Sequence, residues 1–276
     1  MRGSTPCPCE ANSRYGGNTA CVALEVAGED PIILDIGTGL RMLGDTQPQD
    51  GSFRGTAFIT HMHWDHVQGL PFFVPILRAG SQLDIYGPCP GDGHHSLQSA
   101  FDEFMRPPFF PVTVEKLPGD IRFHDVHDTQ LAVGNAKITA RAVPHVGQTN
   151  GYRIEWDGVK VAYISDHQSP RVGEDEGMTI ADSVLELAEG VDVLIHDSQY
   201  WPGEWRAKHY FGHCTVDYAV HVARVAGAKR LVLFHHDPSH TDAEVDKMLA
   251  HARLCAAGTC VDEVLAAYEG LTISFD

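Results

Sequence analysis

No stretch of this chain is apolar for long enough to span a membrane, and Met1 to Pro8 holds no run of the kind a secretory signal needs. Basic residues are scarce: 20 Lys and Arg stand against 37 Asp and Glu, a formal charge of -17. That balance argues against broad electrostatic capture of long nucleic acid or of an anionic membrane surface. The seven cysteines are odd in number and scattered. Cys7-Pro8-Cys9 and the pair Cys255 and Cys260 resemble halves of metal clips, but neither has the two-residue spacing of a zinc knuckle. Reduced thiols and a cytoplasmic location are therefore the expectation. Linkers and composition shifts are absent as well, so a single domain over residues 1–276 is expected, with 43% hydrophobic content to build its core.

What is present in excess is histidine, 17 in all. The densest group is His61-Met62-His63-Trp64-Asp65-His66, which begins where the strand-like Ala57-Phe58-Ile59-Thr60 runs out. Four ligand-type side chains share this one loop. In an extended segment His61, His63 and Asp65 lie on one face and His66 on the other, so one loop can serve two adjacent metals. Imidazole with carboxylate suits zinc, manganese or iron better than the hard cations calcium and magnesium.

Further ligand types recur at predicted strand ends. Ile32 to Asp35 reads as a strand before the Gly37-Thr38-Gly39 turn, and Asp35 is either a loop cap or a carboxylate that orients a ligand histidine. Leu83 to Tyr86 is strand-like, and Ser96 to Met105 is helical by periodicity. Ile138 to Val143 delivers Pro144-His145. Tyr152 to Trp156 and Val159 to Ile164 flank Asp157-Gly158, a hairpin signal, and the second strand ends at Ser165-Asp166-His167. An acidic stretch, Glu174-Asp175-Glu176, and one helix follow. Val191 to Ile195 ends at His196-Asp197, and an aromatic loop over Tyr200 to Trp205 leads to Phe211-Gly212-His213-Cys214-Thr215. Thr215 is a good cap for the next helix, with Gly227 as its stop. Leu231 to Phe234 delivers His235-His236-Asp237-Pro238. A helix from Thr241 to Ala257 and a last strand over Leu271 to Phe275 close the chain. One sheet edge rimmed with ligands is the expected result.

His61-x-His63-x-Asp65-His66, His145, Asp166 and His235, taken in order, resemble the metallo-β-lactamase superfamily of binuclear metallohydrolases. The resemblance implies an α/β (α+β) fold of the αββα type, two mixed β-sheets packed face to face with helices outside. It also implies two divalent metal ions, zinc first, with manganese or iron acceptable. His61, His63 and His145 would hold one, Asp65, His66 and His235 the other, and Asp166 would bridge them. The aspartate stands where the best-known true β-lactamases carry cysteine, which points away from antibiotic hydrolysis. Phe211-Gly212-His213-Cys214-Thr215 looks like the Gly-His-Ser-Thr motif of the tRNA 3′-processing endonucleases and related phosphodiesterases, with Cys214 in place of serine. Carried over, His213 is a general acid and Asp197 its orienting carboxylate; Asp65 joins them among the catalytic residues. The competing role for His213 is as a cap of the helix at Thr215.

Between Asp166 and Asp197 there is no counterpart of the long basic arm with which those endonucleases clamp tRNA. Arg2-Gly3-Ser4-Thr5-Pro6, Tyr15-Gly16-Gly17-Asn18-Thr19 and Asp35-Ile36-Gly37-Thr38-Gly39 look instead like a bacterial branch described as cyclic-phosphate phosphodiesterases. The strand that usually precedes Arg-Gly-Ser-Thr-Pro there is expected to be missing here. The expected activity is hydrolysis of a small anionic or cyclic phosphodiester by a metal-bridging hydroxide. The alternative on the same ligands is a carboxylic ester hydrolase, a lactonase or thioesterase. The related endonucleases imply a homodimer, and neither long nucleic acid nor membrane is an expected partner.

Overall fold

The computed structural model describes residues 1–91, 93–169 and 178–275. The stretch Glu174-Asp175-Glu176 lies outside them. The chain forms two compact units, Ala20–His127 and Met1–Thr19 with the chain from Asp128 onward.

In the first unit, β1 (Val22–Leu24), β2 (Ile32–Leu34), β3 (Arg54–Phe58), β4 (Gln82–Gly87) and β5 (Asp120–Asp125) form a sheet in that order, with helices α1 (Gly39–Gly44), α2 (Trp64–Val67) and α3 (Leu97–Phe104). β1 pairs antiparallel to β2 and the other neighbours pair parallel. The strands are short apolar runs, and β4 alternates so that Leu83 and Ile85 are buried. They pack with Ile33, Phe73 and Phe101 into one core. Ser96 caps α3 by accepting from the Ser99 N–H at 3.1 Å. The prolines of Val67 to Leu77 leave only short 3-10 turns there, since each removes a donor.

The second unit holds β6 (Gln130–Val133), β7 (Ala136–Ala142), β8 (Asn150–Trp156), β9 (Val159–Ile164), α4 (Asp182–Ala188), β10 (Val193–Asp197), α5 (Pro202–Lys208), α6 (Val216–Ala226), β11 (Arg230–Phe234), α7 (Asp242–Ala256) and β12 (Glu263–Ala266). The sheet order is β12-β11-β10-β9-β8-β7-β6. β9 to β12 pair parallel, and β6 to β9 are joined antiparallel. Asp157 (φ 49°) and Gly158 (φ 79°) make the β8–β9 turn, the positive pair that the sequence predicts. Because β7 and β9 are both antiparallel to β8, β7 runs in the direction of β9, β10 and β11. Five strand C-termini, those of β7, β9, β10, β11 and β12, therefore share one edge of this sheet.

Each unit thus carries a mixed sheet flanked by helices, an α+β architecture. Several expectations change in detail. The expected single rim of ligands is divided between the two sheets, because strand ends alone do not say which strands pair. The last strand is Glu263–Ala266, and Leu271 to Phe275 is not strand. Val264 and Ala266 are buried with Met248, Ala252 and Ala256 of α7, which fixes the edge position that local alternation at 271–275 does not. The aromatic stretch is helical from Pro202: proline at the first helical position needs no N–H partner, and the Glu204 carboxylate accepts the Trp201 N–H at 2.9 Å. No helix among the described residues is long and apolar enough to cross a membrane.

Candidate metal centre

In the first unit the site grows from the C-terminal ends of β2 and β3. Asp35 follows β2 with φ 57°, a left-handed conformation costly for a non-glycine residue. Its fully buried carboxylate explains the arrangement. Oδ1 accepts the Thr60 N–H at 2.7 Å, holding the loop that leaves β3, while Oδ2 lies 2.7 Å from His66 Nδ1. Asp35 is thus both loop cap and orienter, the two roles between which the sequence leaves it. With Nδ1 committed, His66 presents Nε2, which lies 3.2 Å from Asp65 Oδ2. His61 Nδ1 is 3.0 Å from Thr60 Oγ1, and its Nε2 is 2.7 Å from His63 Nδ1. Four ligand-type side chains of one loop are therefore grouped, His66 Nε2 beside Asp65 Oδ2 and His61 Nε2 beside His63 Nδ1. Gly69 closes the turn, since a Cβ there would strike the Gly37 carbonyl.

In the second unit the donors come from separate strands. His145 follows β7, Asp166 follows β9, Asp197 ends β10 and His235 follows β11. Asp166 Oδ2 lies 3.7 Å from His145 Nε2, 3.4 Å from His235 Nε2 and 3.8 Å from His213 Nδ1. Asp166, His213 and His235 bring one ligand-type atom each within 4.8 Å of one another, all buried. The outward nitrogens are again committed. His145 Nδ1 donates to the Gly212 carbonyl at 2.7 Å, and His235 Nδ1 to Gln199 Oε1 at 2.8 Å. That is the pattern of metal-binding imidazoles, whose second N–H is held by a carbonyl or carboxylate so that one lone pair is aimed. His235 itself has φ 60°, and a Cβ on Gly3 would overlap its ring, so Gly3 is the residue this close packing allows.

His213 lies beside these donors. Its Nδ1 is 2.7 Å from Asp197 Oδ2, while the cap of α6 is supplied by Thr215 Oγ1, which accepts the Tyr218 N–H at 3.2 Å. Asp197 is fully buried and also accepts the N–H groups of His167 at 3.1 Å and Gln199 at 3.0 Å, which lock the carboxylate. Gly212 (φ 86°) links the two histidines. Its carbonyl orients His145, and a Cβ would stand 2.6 Å from His145 Nδ1. Cys214, where the related motif has serine, is buried and donates its S–H to the Asp197 carbonyl at 3.0 Å. Burial first, then the Asp197 charge, pushes its thiol pKa well up, so it is not a thiolate.

Other histidines fall outside the cluster. His236 donates to the Ala267 carbonyl at 3.0 Å, His167 and His196 face each other at 3.1 Å, and His240 meets Glu204 at 3.0 Å. Asp237 caps its own loop, accepting from the Ser239 N–H at 2.8 Å and from Lys208 at 2.9 Å. Gln199, Thr60 and the Gly212 carbonyl were not legible as site components. Only Gly212 had a signal, as the glycine before the motif histidine.

Two mixed sheets with imidazole and carboxylate donors at strand C-termini define a metallohydrolase of the metallo-β-lactamase fold. Residues 32–236 match the family described as the beta-lactamase superfamily domain, and the chain belongs to the metallo-β-lactamase superfamily of hydrolases. It is 28% identical over 228 residues to the Ribonuclease Z of Streptococcus equi subsp. equi, covering 64% of this chain and 70% of that protein. Among solved structures, the metallo-beta-lactamase fold protein YhfI from Bacillus subtilis superimposes with a TM-score of 0.70 at 21% identity, covering 98% of this chain and 94% of that one. A diphosphatase from the PhnP family gives 0.69 at 19%, covering 100% and 95%.

Proposed function

We propose that this chain is a binuclear metal-dependent phosphodiesterase of the cytoplasm, acting on a small or cyclic phosphodiester. The ligand partition is the one the family motif implies: His61, His63 and His145 for one metal, Asp65, His66 and His235 for the other, and Asp166 between them. The donor set supports this, because the imidazoles held from behind by Asp35, the Gly212 carbonyl and Gln199 each keep one nitrogen for a cation. Zinc, manganese and iron all accept such donors. When bound, divalent metals supply Lewis acidity that activates water and offsets charge on the attacked centre.

The observation that carries the reading is the His213–Asp197 pair at 2.7 Å. With Nδ1–H directed at Asp197, the transferable proton of His213 is on Nε2. The buried carboxylate stabilises the imidazolium, so the ring can protonate a leaving alkoxide. Carboxylic esters and phosphodiesters of nitrophenol need no such proton, whereas a nucleoside or alkyl leaving group does. The relatives named Ribonuclease Z and diphosphatase support chemistry at phosphorus, and the -17 charge supports a small substrate over a long polyanion.

The test compares leaving groups. His213→Ala is expected to slow a dialkyl or cyclic phosphodiester by about 10²–10⁴-fold, while bis(p-nitrophenyl) phosphate slows far less. Equal losses on both would remove the general acid. Faster turnover of lactones or thioesters than of any phosphodiester would replace the reading with a carboxylic ester hydrolase.

A further inference from the structure

A second group of ligand-type side chains lies away from the strand ends, where α6 meets α7. Asp217, in the first turn of α6, and His251 and Cys255, four apart on α7, bring one donor atom each within 4.8 Å of one another. His251 Nε2 is 2.6 Å from Asp217 Oδ1 and 3.5 Å from Cys255 Sγ, and Cys255 Sγ is 3.8 Å from the same Asp217 oxygen. Trp201 packs its ring edge-on against His251 at 5.4 Å, walling one side, while Cys255 is exposed on the other.

Two chemistries use these residue types. In a nucleophilic relay the carboxylate and the thiol bind opposite nitrogens of the imidazole, so that a proton passes through the ring. Here both face the same nitrogen, which rules that relay out. Convergence of oxygen, nitrogen and sulfur on one point is instead the geometry of chelation. With ordinary zinc bond lengths, donors in a tetrahedron stand about 3.3–3.6 Å apart. The sulfur–nitrogen and sulfur–oxygen separations are already close to that, and the Asp217 carboxylate needs only a small rotation. Four-residue spacing on one helix puts imidazole and thiolate on one face, and mixed S, N, O donors select a borderline-soft divalent ion over magnesium or calcium.

We propose that Asp217, His251 and Cys255 form a surface site for a zinc-class divalent cation, with water in the fourth position, clipping α7 to α6. The site is separate from the proposed hydrolytic centre and stands whether or not that centre holds two metals. Coordination takes Cys255 as the thiolate, so uptake of the ion would release the thiol proton.

The experiment is titration of the metal-stripped full chain with Co²⁺, read by the thiolate-to-cobalt charge-transfer band, for wild type, Cys255→Ser and His251→Ala. One equivalent of band intensity is expected in wild type, none in Cys255→Ser, and at least tenfold weaker Co²⁺ binding in His251→Ala. Zn²⁺ should raise the melting temperature of wild type more than that of Cys255→Ser, whose hydrolytic rate stays unchanged. A band of equal strength in Cys255→Ser, or Co²⁺ affinity indifferent to His251, would overturn the site. Failure of the hydrolytic reading would show as absent turnover and leave the Cys255-dependent band in place.

Discussion

The candidate ligands of the first unit sit on one loop, whereas the site residues of the second come from the ends of four strands. His61, His63, Asp65 and His66 span six residues and are aligned by the backbone between them. His145, Asp166, Asp197 and His235 are spread over ninety-one positions and meet at one edge only because β7, β9, β10 and β11 run in the same direction. Both sets use the same device, a buried partner behind the imidazole. Asp35 does this for His66, and Gln199 and the Gly212 carbonyl do it for His235 and His145. In the local motif Asp35 orients His66 and also shapes the loop, and Thr60 on that loop meets His61. In the dispersed set His145 and His235 each have an orienter of their own.

That contrast can be broken most severely at Asp166, whose Oδ2 lies near both His145 and His235. Asp166→Ala is expected to reduce hydrolysis by more than about 10³-fold, the scale of removing a key charged group at a reacting centre. Metal content should fall with it; retention of both metals and of rate would refute the bridging role. Next in size is Asp35→Asn. It should weaken metal affinity about 10–100-fold and cost roughly 1–3 kcal/mol of stability, because one side chain serves both the loop and His66. Gln199→Ala should weaken metal binding with less loss of stability, and equal stability losses in denaturant would erase the distinction.

A smaller effect in the second unit depends on pH. In the second unit burial lowers the pKa of His167, His196 and His236, so they are neutral in the fold. The unfolded chain protonates them near the ordinary 6.5, and the folded chain does not. Stability from these sites is therefore complete above about pH 6.5 and declines as pH falls below it, at up to about 1.4 kcal/mol per pH unit for each group. Urea midpoints of metal-free protein between pH 7.5 and 5.5 would show this. His236→Phe should flatten the dependence, and an unchanged slope would exclude His236 as a contributor. Smallest are the helix caps: Ser96→Ala and Thr215→Ala should each cost about 1 kcal/mol. Only the second should also change turnover, since it lies two residues from His213; an equal effect on activity would remove the proposed link.

The legible part of the molecule is local. The His61–His66 loop, the Asp157-Gly158 turn, the Thr215 cap and the Gly227 stop are readable because each depends on neighbours a few residues away. β5, with its half-exposed Asp120–Asp125, escaped notice because an edge strand buries too little to leave a strong pattern. β12 was misplaced to Leu271 to Phe275 because its position depends on α7. The role of Gln199 was invisible, as a glutamine after a strand has no signature until the neighbouring strand delivers His235 beside it.

By itself the sequence determined where ligand-type side chains cluster and which turns and caps shape their loops, since residue type and short-range backbone preference are properties of the chain. Only the tertiary structure decided which strand C-termini share an edge, and which nitrogen of His66, His145 and His235 is held from behind. Both depend on strand direction and on hydrogen bonds between residues far apart in sequence, and no local pattern encodes either.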